Sequence, residues 1–162
     1  MSTVFYRLDE RLIHGQVVAG WANALGVDKI ILANDKVANN PWERELYLAC
    51  FPPEVKGSIL TIEQAAKFLS DGALKKQKIM LVVNSPADIL KMKEAGVKIE
   101  ELNVGGMYQK PGRIQILPYL YLSIEEITDF KKLINQNVKC LCLDVPLGEK
   151  KDLKELLDKL NL

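Results

Sequence analysis

The sequence predicts an α/β fold: an open, mostly parallel, doubly wound sheet of about six to seven strands, helices on both faces, and one antiparallel strand allowed at the edge. Three observations carry this. Short continuous apolar runs, Ile30-Ile31-Leu32-Ala33 and Ile79-Met80-Leu81-Val82-Val83, read as strands covered on both faces. Segments with apolar residues at helical spacing alternate with such runs, about six times in all. The connections are short, as in right-handed strand–helix–strand crossovers.

The elements follow in order. Residues 3–8, rich in β-branched and aromatic side chains, predict a first strand. Residues 16–25 predict a helix with Val17, Val18, Trp21, Ala22 and Leu25 on one face, ended by Gly26. Residues 29–33 give a second strand. Asn39-Asn40-Pro41 turns into a helix carrying Trp42, Leu46, Leu48 and Ala49, which stops before Pro52-Pro53. Residues 55–60 form a third strand, and Thr61 with Gln64 makes a capping box for the next helix. A fourth strand over 78–83 leads through Asn84-Ser85-Pro86 into a helix closed by Gly96. A fifth strand over 98–104 ends at Gly105-Gly106. Short extended pieces are expected at 113–116 and 119–122, then a helix capped at Ser123 and running to about Gln136. The chain closes with a strand over 138–145 and a helix over 152–160 whose stripe is Leu153, Leu156, Leu157 and Leu160. No internal repeat, linker or change of composition marks a second domain, and 162 residues suffice for one buried core.

Composition narrows the function classes. The net charge of +1, from 22 basic and 21 acidic residues, gives no bulk attraction to nucleic acid or anionic lipid. No apolar run approaches the roughly 20 residues needed to cross a bilayer, and Met1-Ser2-Thr3-Val4 lacks the pattern of a secretory leader. Cys50, Cys140 and Cys142 read as small buried side chains of a reducing cytosol. Lys75, Lys76 and Lys78, and Lys150 with Lys151, read as solvated faces. No nucleophile elbow, Walker loop or dinucleotide fingerprint occurs.

Ligands of open parallel sheets sit beyond the carboxyl ends of the strands. The first strand ends there in residues 9–14, which include His14, the only histidine of the chain. Asn34-Asp35, Asn84-Ser85 and Gly105-Gly106 fall on the same rim. His14 precedes a helix N-terminus, where free N–H groups and the helix dipole favour an anion. Gly15 permits close approach of the backbone, and Arg7 and Arg11 supply forked donors suited to phosphate. Asp9 or Asp35 is expected to hold one imidazole nitrogen while the other attacks. Together these describe a histidine that receives a phosphoryl group.

Residues 7–17, Arg-Leu-Asp-Glu-Arg-Leu-Ile-His-Gly-Gln-Val, resemble the signature of the IIB component of the mannose/fructose/sorbose family of the bacterial phosphoenolpyruvate-dependent sugar phosphotransferase system. Trp21, Ile31-Leu32-Ala33-Asn34-Asp35 and Asn103-Val104-Gly105-Gly106-Met107 resemble the family in the same order; Leu8, where isoleucine is frequent, is a mild departure. The resemblance covers nearly the whole chain and implies that residues 1–162 are one IIB domain. It implies that His14 takes a phosphoryl group at Nδ1 from a histidine on a IIA protein and passes it to a sugar entering through membrane IIC and IID components. Arg11 would face the phosphoryl group, and Asp9 and Arg7 would shape the loop. Gly15, Gln16, Asp35, Gly105 and Gly106 would complete the site. It implies a protein held at the cytoplasmic side of the membrane by IIC and IID, with no cofactor, metal or nucleic-acid partner. Leu12 and Ile13 would either meet those partners or pack in the core. Two other readings fit the same residues: a non-catalytic anion- or nucleotide-binding module of similar fold, and a regulatory or scaffold protein tuned by phosphorylation of His14.

Overall fold

The computed structural model describes residues 3–71, 74 and 76–162. Met1, Ser2, Lys75 and the side chain of Gln16 lie outside the described residues, so the leader reading is only partly covered and the lysine cluster lacks one member. The strands are β1 (Thr3–Leu8), β2 (Lys29–Ala33), β3 (Lys56–Leu60), β4 (Lys78–Val83), β5 (Glu101–Val104), β6 (Ile114–Leu117), β7 (Leu120–Leu122), β8 (Lys139–Cys142) and β9 (Lys151–Asp152). The helices are α1 (Gly15–Leu25), α2 (Asp35–Asn39), α3 (Pro41–Leu48), α4 (Ile62–Ser70), α5 (Pro86–Glu94), α6 (Ile124–Asn135) and α7 (Leu153–Lys159).

Seven strands make one sheet in the order β3-β2-β4-β1-β5-β8-β9. All neighbours are parallel except β8 and β9, which pair antiparallel at the edge. Helices cover both faces. Tyr6, Leu8, Ile31, Leu81, Val83, Leu102, Val104, Cys140 and Cys142 meet α4, α5, α6 and α7 on one side. Ile30, Leu32, Ile59, Met80 and Val82 meet Val18, Trp21 and Ala22 of α1 and Val37 of α2 on the other. This is the doubly wound architecture that the alternation of runs predicts.

The order places the site. From β1 the chain leaves by α1 towards β2 and β3; from β5 it leaves towards β8 and β9. β1 and β5 lie side by side, so their outgoing connections part and open a crevice above their carboxyl ends. Residues 9–14 and Gly105-Gly106 occupy that crevice from its two walls.

Local sequence accounts for most boundaries. Gly26 takes the left-handed conformation at the end of α1, with φ 60°. Thr61 with Gln64, and Ser123 with Glu126, form complete capping boxes. Asn34, Ser85 and Asp152 accept N–H groups at the starts of α2, α5 and α7.

The structure departs from expectation in five places. The short helix α2 fills what reads as a plain turn, because Asn34 caps Val37 N–H before Asn40 restarts the chain into α3. β5 begins at Glu101, where its ladder with β8 begins, although Ile99 is already buried. β8 ends at Cys142, since the carbonyls of Leu143 and Asp144 turn to a guanidinium and leave the ladder. The pieces near 114–122 pair with each other as a separate two-stranded sheet, tied to the exit of β5 by hydrogen bonds between Met107 and the backbone of Tyr119 and Tyr121. Cys50 is exposed, whereas Cys140 and Cys142 are buried, and burial pushes both their thiols up to about 12.

A buried guanidinium–carboxylate cluster beside an exposed histidine

Arg7, the penultimate residue of β1, has its side chain on the α1 side of the sheet, in register with Val82 of β4 and Asn103 of β5. Arg7 is only 2% exposed. Its Nη1 donates to Asn103 Oδ1 and, at 3.1 Å, to Leu143 O. Its Nη2 donates to Asp9 Oδ2 at 2.8 Å and to Asp144 O at 3.1 Å. The Trp21 ring covers the guanidinium at 4.8 Å and donates its own N–H to Asp144 O. Burial pulls the Arg7 pKa down, against the opposing charge of Asp9. With both terminal nitrogens occupied, Arg7 is a clamp under the loop and has no donor pair turned outward for phosphate.

Asp9 is the hub. Oδ1 accepts the backbone N–H of Arg11 at 3.0 Å and its Nε at 2.9 Å. Oδ2 accepts Nη2 of Arg7 and of Arg11, the latter at 2.7 Å, with Gly106 N–H at 3.4 Å. Burial alone would raise the Asp9 carboxyl; the Arg11 hydrogen bonds and both positive charges outweigh it and hold the group below the ordinary carboxylate range. Asp9 is therefore spent on the two arginines, and no hydrogen bond links it to the His14 ring among the described residues.

Between Asp9 and His14 the loop is tight. Leu12 N–H donates to Asp9 O at 2.9 Å, and Leu12 takes φ 58°, which few branched side chains adopt. Leu12 and Ile13 are buried in the core on the α1 side, so they anchor the loop from beneath. The anchoring turns the next residue out: His14 is exposed, extended in backbone, and stands at the N-cap of α1 with no side-chain capping bond. A Cβ on Gly15 would meet nothing within 4 Å, which leaves the start of α1 open to an incoming group. Gln16 contributes its backbone to α1.

The opposite wall closes on this cluster. A Cβ on Gly105 would run into the Arg7 guanidinium and lie 2.7 Å from Asp9 Oδ2; one on Gly106 would lie 3.0 Å from Arg11 Nη2. Packing therefore demands glycine at 105 and favours it at 106, and neither shows a positive φ. The exit of β8 supplies a member that sequence reasoning missed: Asp144, whose Oδ1 accepts Arg11 Nη2 at 2.8 Å. An acidic residue within the last apolar run, near its carboxyl end, hinted at the ligand rim, but nothing in the spacing hinted at its pairing with Arg11.

A family model for the sorbose subfamily IIB component of the phosphotransferase system matches residues 3–162. The chain belongs to that family. It is 32% identical to the sorbose-specific EIIB component of Klebsiella pneumoniae over 99% of this chain and 96% of that protein. It is 29% identical to the mannose-specific EIIAB component of Escherichia coli K12 over 96% of this chain, matching 48% of that longer protein. The crystal structure of the IIBSor domain of the Klebsiella sorbose permease superposes with a TM-score of 0.91 at 28% identity, over 97% of both chains.

In this IIB component, a subunit of a sugar phosphotransferase system, the cluster has a second layer. Glu10 N–H donates to Gly106 O, and the Glu10 carboxylate accepts Tyr108 N–H at 2.7 Å, Arg113 Nη1 at 2.8 Å and the Lys110 ammonium. Arg113 also reaches Glu126 at 2.5 Å, the residue that completes the α6 capping box. The loop is thereby tied to the β6–β7 hairpin and to α6. A groove of about 240 Å³ runs beside it, lined by Arg11, Gly106, Tyr108, Tyr119 and Tyr121 among others. Asp35 is not part of the cluster. Its Oδ1 accepts Ile62 N–H at 2.8 Å, joining α2 to the start of α4 on the β3 side of the rim. No helix is long and apolar enough to cross a membrane, and no group of three metal-ligating side chains is placed to hold an ion, among the described residues.

Proposed function

We propose that His14 is the phosphoryl carrier of this IIB component, taking the group from a phosphohistidine on a IIA protein and giving it to a sugar delivered by IIC and IID membrane components. In enzyme terms it is a protein-Npi-phosphohistidine–sugar phosphotransferase. Residues 1–162 act as one IIB domain, cytoplasmic and held at the membrane through IIC and IID. The observation that carries the reading is that His14 stands exposed at the open N-terminus of α1, three residues after Arg11, whose guanidinium is held by Asp9 and Asp144. A relative in which IIA and IIB are named together supports a IIA donor. The differing sugars in the relatives' names, sorbose and mannose, fit a choice of sugar made by the membrane components.

The transfer balances simply. A neutral His14 ring nitrogen attacks phosphorus as the donor's N–P bond breaks. The donor imidazole leaves with the electron pair and takes up one proton, and the second ring nitrogen of His14 releases one. In the onward step a sugar oxygen attacks phosphorus, and the hydroxyl proton goes to the His14 ring as it leaves. Backbone N–H groups at the start of α1 and the outward face of Arg11 stabilise charge on the three phosphoryl oxygens.

The test is reconstitution. Vesicles holding IIC and IID, supplied with the general phosphotransferase proteins, a IIA protein and phosphoenolpyruvate, should form sugar phosphate only when this chain is added. Sugar phosphate formed equally well with His14→Gln would refute the assignment.

A further inference from the structure

Arg11 is gripped from two sides, and the grips differ in kind. Asp9 takes Nε and one hydrogen of Nη2, is itself 2% exposed, and is shared with Arg7. Asp144 takes the other Nη2 hydrogen at 2.8 Å. Its carbonyl is pinned by Arg7 Nη2 and Trp21 Nε1, both at 3.1 Å. Its carboxylate is 28% exposed and hydrogen-bonds to Arg11, with Arg7 further off at 3.8 Å. The side chain can therefore release Arg11 into water while the backbone stays in place. The two hydrogens of Arg11 Nη1 make no hydrogen bond among the described residues, and they are the pair left for phosphoryl oxygens.

We propose that Asp144 is a positioning residue that sets how firmly a phosphoryl group is held on His14, by competing with that group for Arg11. The proposal rests on the reading of His14 as the carrier. Arg7 and Arg11 against Asp9 and Asp144 sum to no formal charge, two positive against two negative. A neutral cluster attracts a dianionic phosphoryl group less than a cationic one does. Arg11 is three residues from His14, so their Cα atoms are at most about 11 Å apart, within reach of an arginine side chain. A carrier has to release its cargo as readily as it accepts it, and Asp144 keeps Arg11 from holding too tightly. Asp144 forms no covalent bond and moves no proton in the transfer.

The test equilibrates the parent chain, Asp144→Asn, Asp144→Ser and Asp144→Glu with phosphorylated IIA protein and reads the ratio of the two phosphohistidines by phosphorus NMR. Asn and Ser should shift the equilibrium towards the phosphorylated chain by about threefold to tenfold, the effect of one charge at a partly exposed site. Glu should stay within about twofold of the parent, and in an Arg11→Gln background the Asp144→Asn shift should fall below about twofold, because the effect passes through Arg11. A merely structural role would lower the urea midpoint without moving the ratio. An unmoved ratio in folded Asn and Ser variants, or an equal shift in the Arg11→Gln background, overturns the proposal alone. A parent chain that takes no phosphoryl group at all overturns the His14 reading, and this proposal with it.

Discussion

Arg11 meets Asp9 fork to fork, Nε on Oδ1 at 2.9 Å and Nη2 on Oδ2 at 2.7 Å. Planar two-point pairing fixes the guanidinium in orientation as well as in place, which a lysine ammonium cannot reproduce. Arg11→Ala should therefore slow phosphoryl transfer by about a hundredfold to a thousandfold, the usual cost of losing a donor aimed at developing charge. Arg11→Lys should recover only part of that loss. Rapid-quench measurement of the phosphorylation rate decides this, and a lysine variant as fast as the parent would show that charge alone suffices.

Arg7 answers to stability more than to rate. Both terminal nitrogens are engaged and the side chain is buried. Arg7→Met would remove one donor each from the carbonyls of Leu143 and Asp144, which keep Asn103 Nδ2 at 3.4 Å and Trp21 Nε1 at 3.1 Å, and leave Asp9 with Arg11 as its remaining cation. A loss of about 3 kcal/mol is expected, the lower end for breaking a buried pair, since Asp9 keeps one partner. Urea unfolding monitored by Trp21 fluorescence measures it; a loss below about 1 kcal/mol would deny Arg7 its clamping role.

Gly105 and Gly106 should respond unequally to alanine. At Gly105 the new methyl strikes a buried guanidinium fixed by four hydrogen bonds. At Gly106 it approaches the half-buried Arg11 side chain, which can give. Gly105→Ala should cost about 1–3 kcal/mol as overpacking and disturb the loop, and Gly106→Ala should cost less. Paired unfolding curves test the order, and the reverse order would mean that the β5 exit yields more easily than the cluster.

The acid limb of stability follows from Asp9 and Glu10. Burial raises both carboxyls, but hydrogen bonds outweigh it, from Arg11 for Asp9 and from Arg113 and Lys110 for Glu10, so both are held below their ordinary values. A depressed folded-state value stabilises the fold above the unfolded value, about 4 for a carboxyl, and the benefit is lost as pH falls through the folded value. Urea midpoints should be flat in this respect from about pH 5 to 8 and fall below about pH 4, with a shallower fall in Glu10→Gln. An equally steep fall in that variant would remove Glu10 from the account.

Much of this was legible in residue order because the determinants are local. Apolar runs set β2 and β4, and Thr61, Ser123 and Gly26 set helix ends within a few residues of themselves. The position of His14 between an apolar strand and a helix was legible for the same reason. What was hidden depends on pairing across the sheet. Asp144 meets Arg11 across a separation of 133 residues, and Arg113 meets Glu10 across 103, so neither spacing carries a signal without the strand order. The same blindness placed Arg7 beside the phosphate, when the register of β1 with β5 sends it into Asn103, and placed Asp35 beside the imidazole, when its carboxylate serves α4.

His14, the one histidine of the chain, is the residue proposed to carry the phosphoryl group. The direct measurement is site mapping of the protein after incubation with phosphoenolpyruvate, the general phosphotransferase proteins and a IIA protein. One acid-labile, base-stable phosphoryl group is expected, on the peptide containing His14, and none in His14→Gln. Label of equal amount in His14→Gln, or label on any other residue, would contradict it.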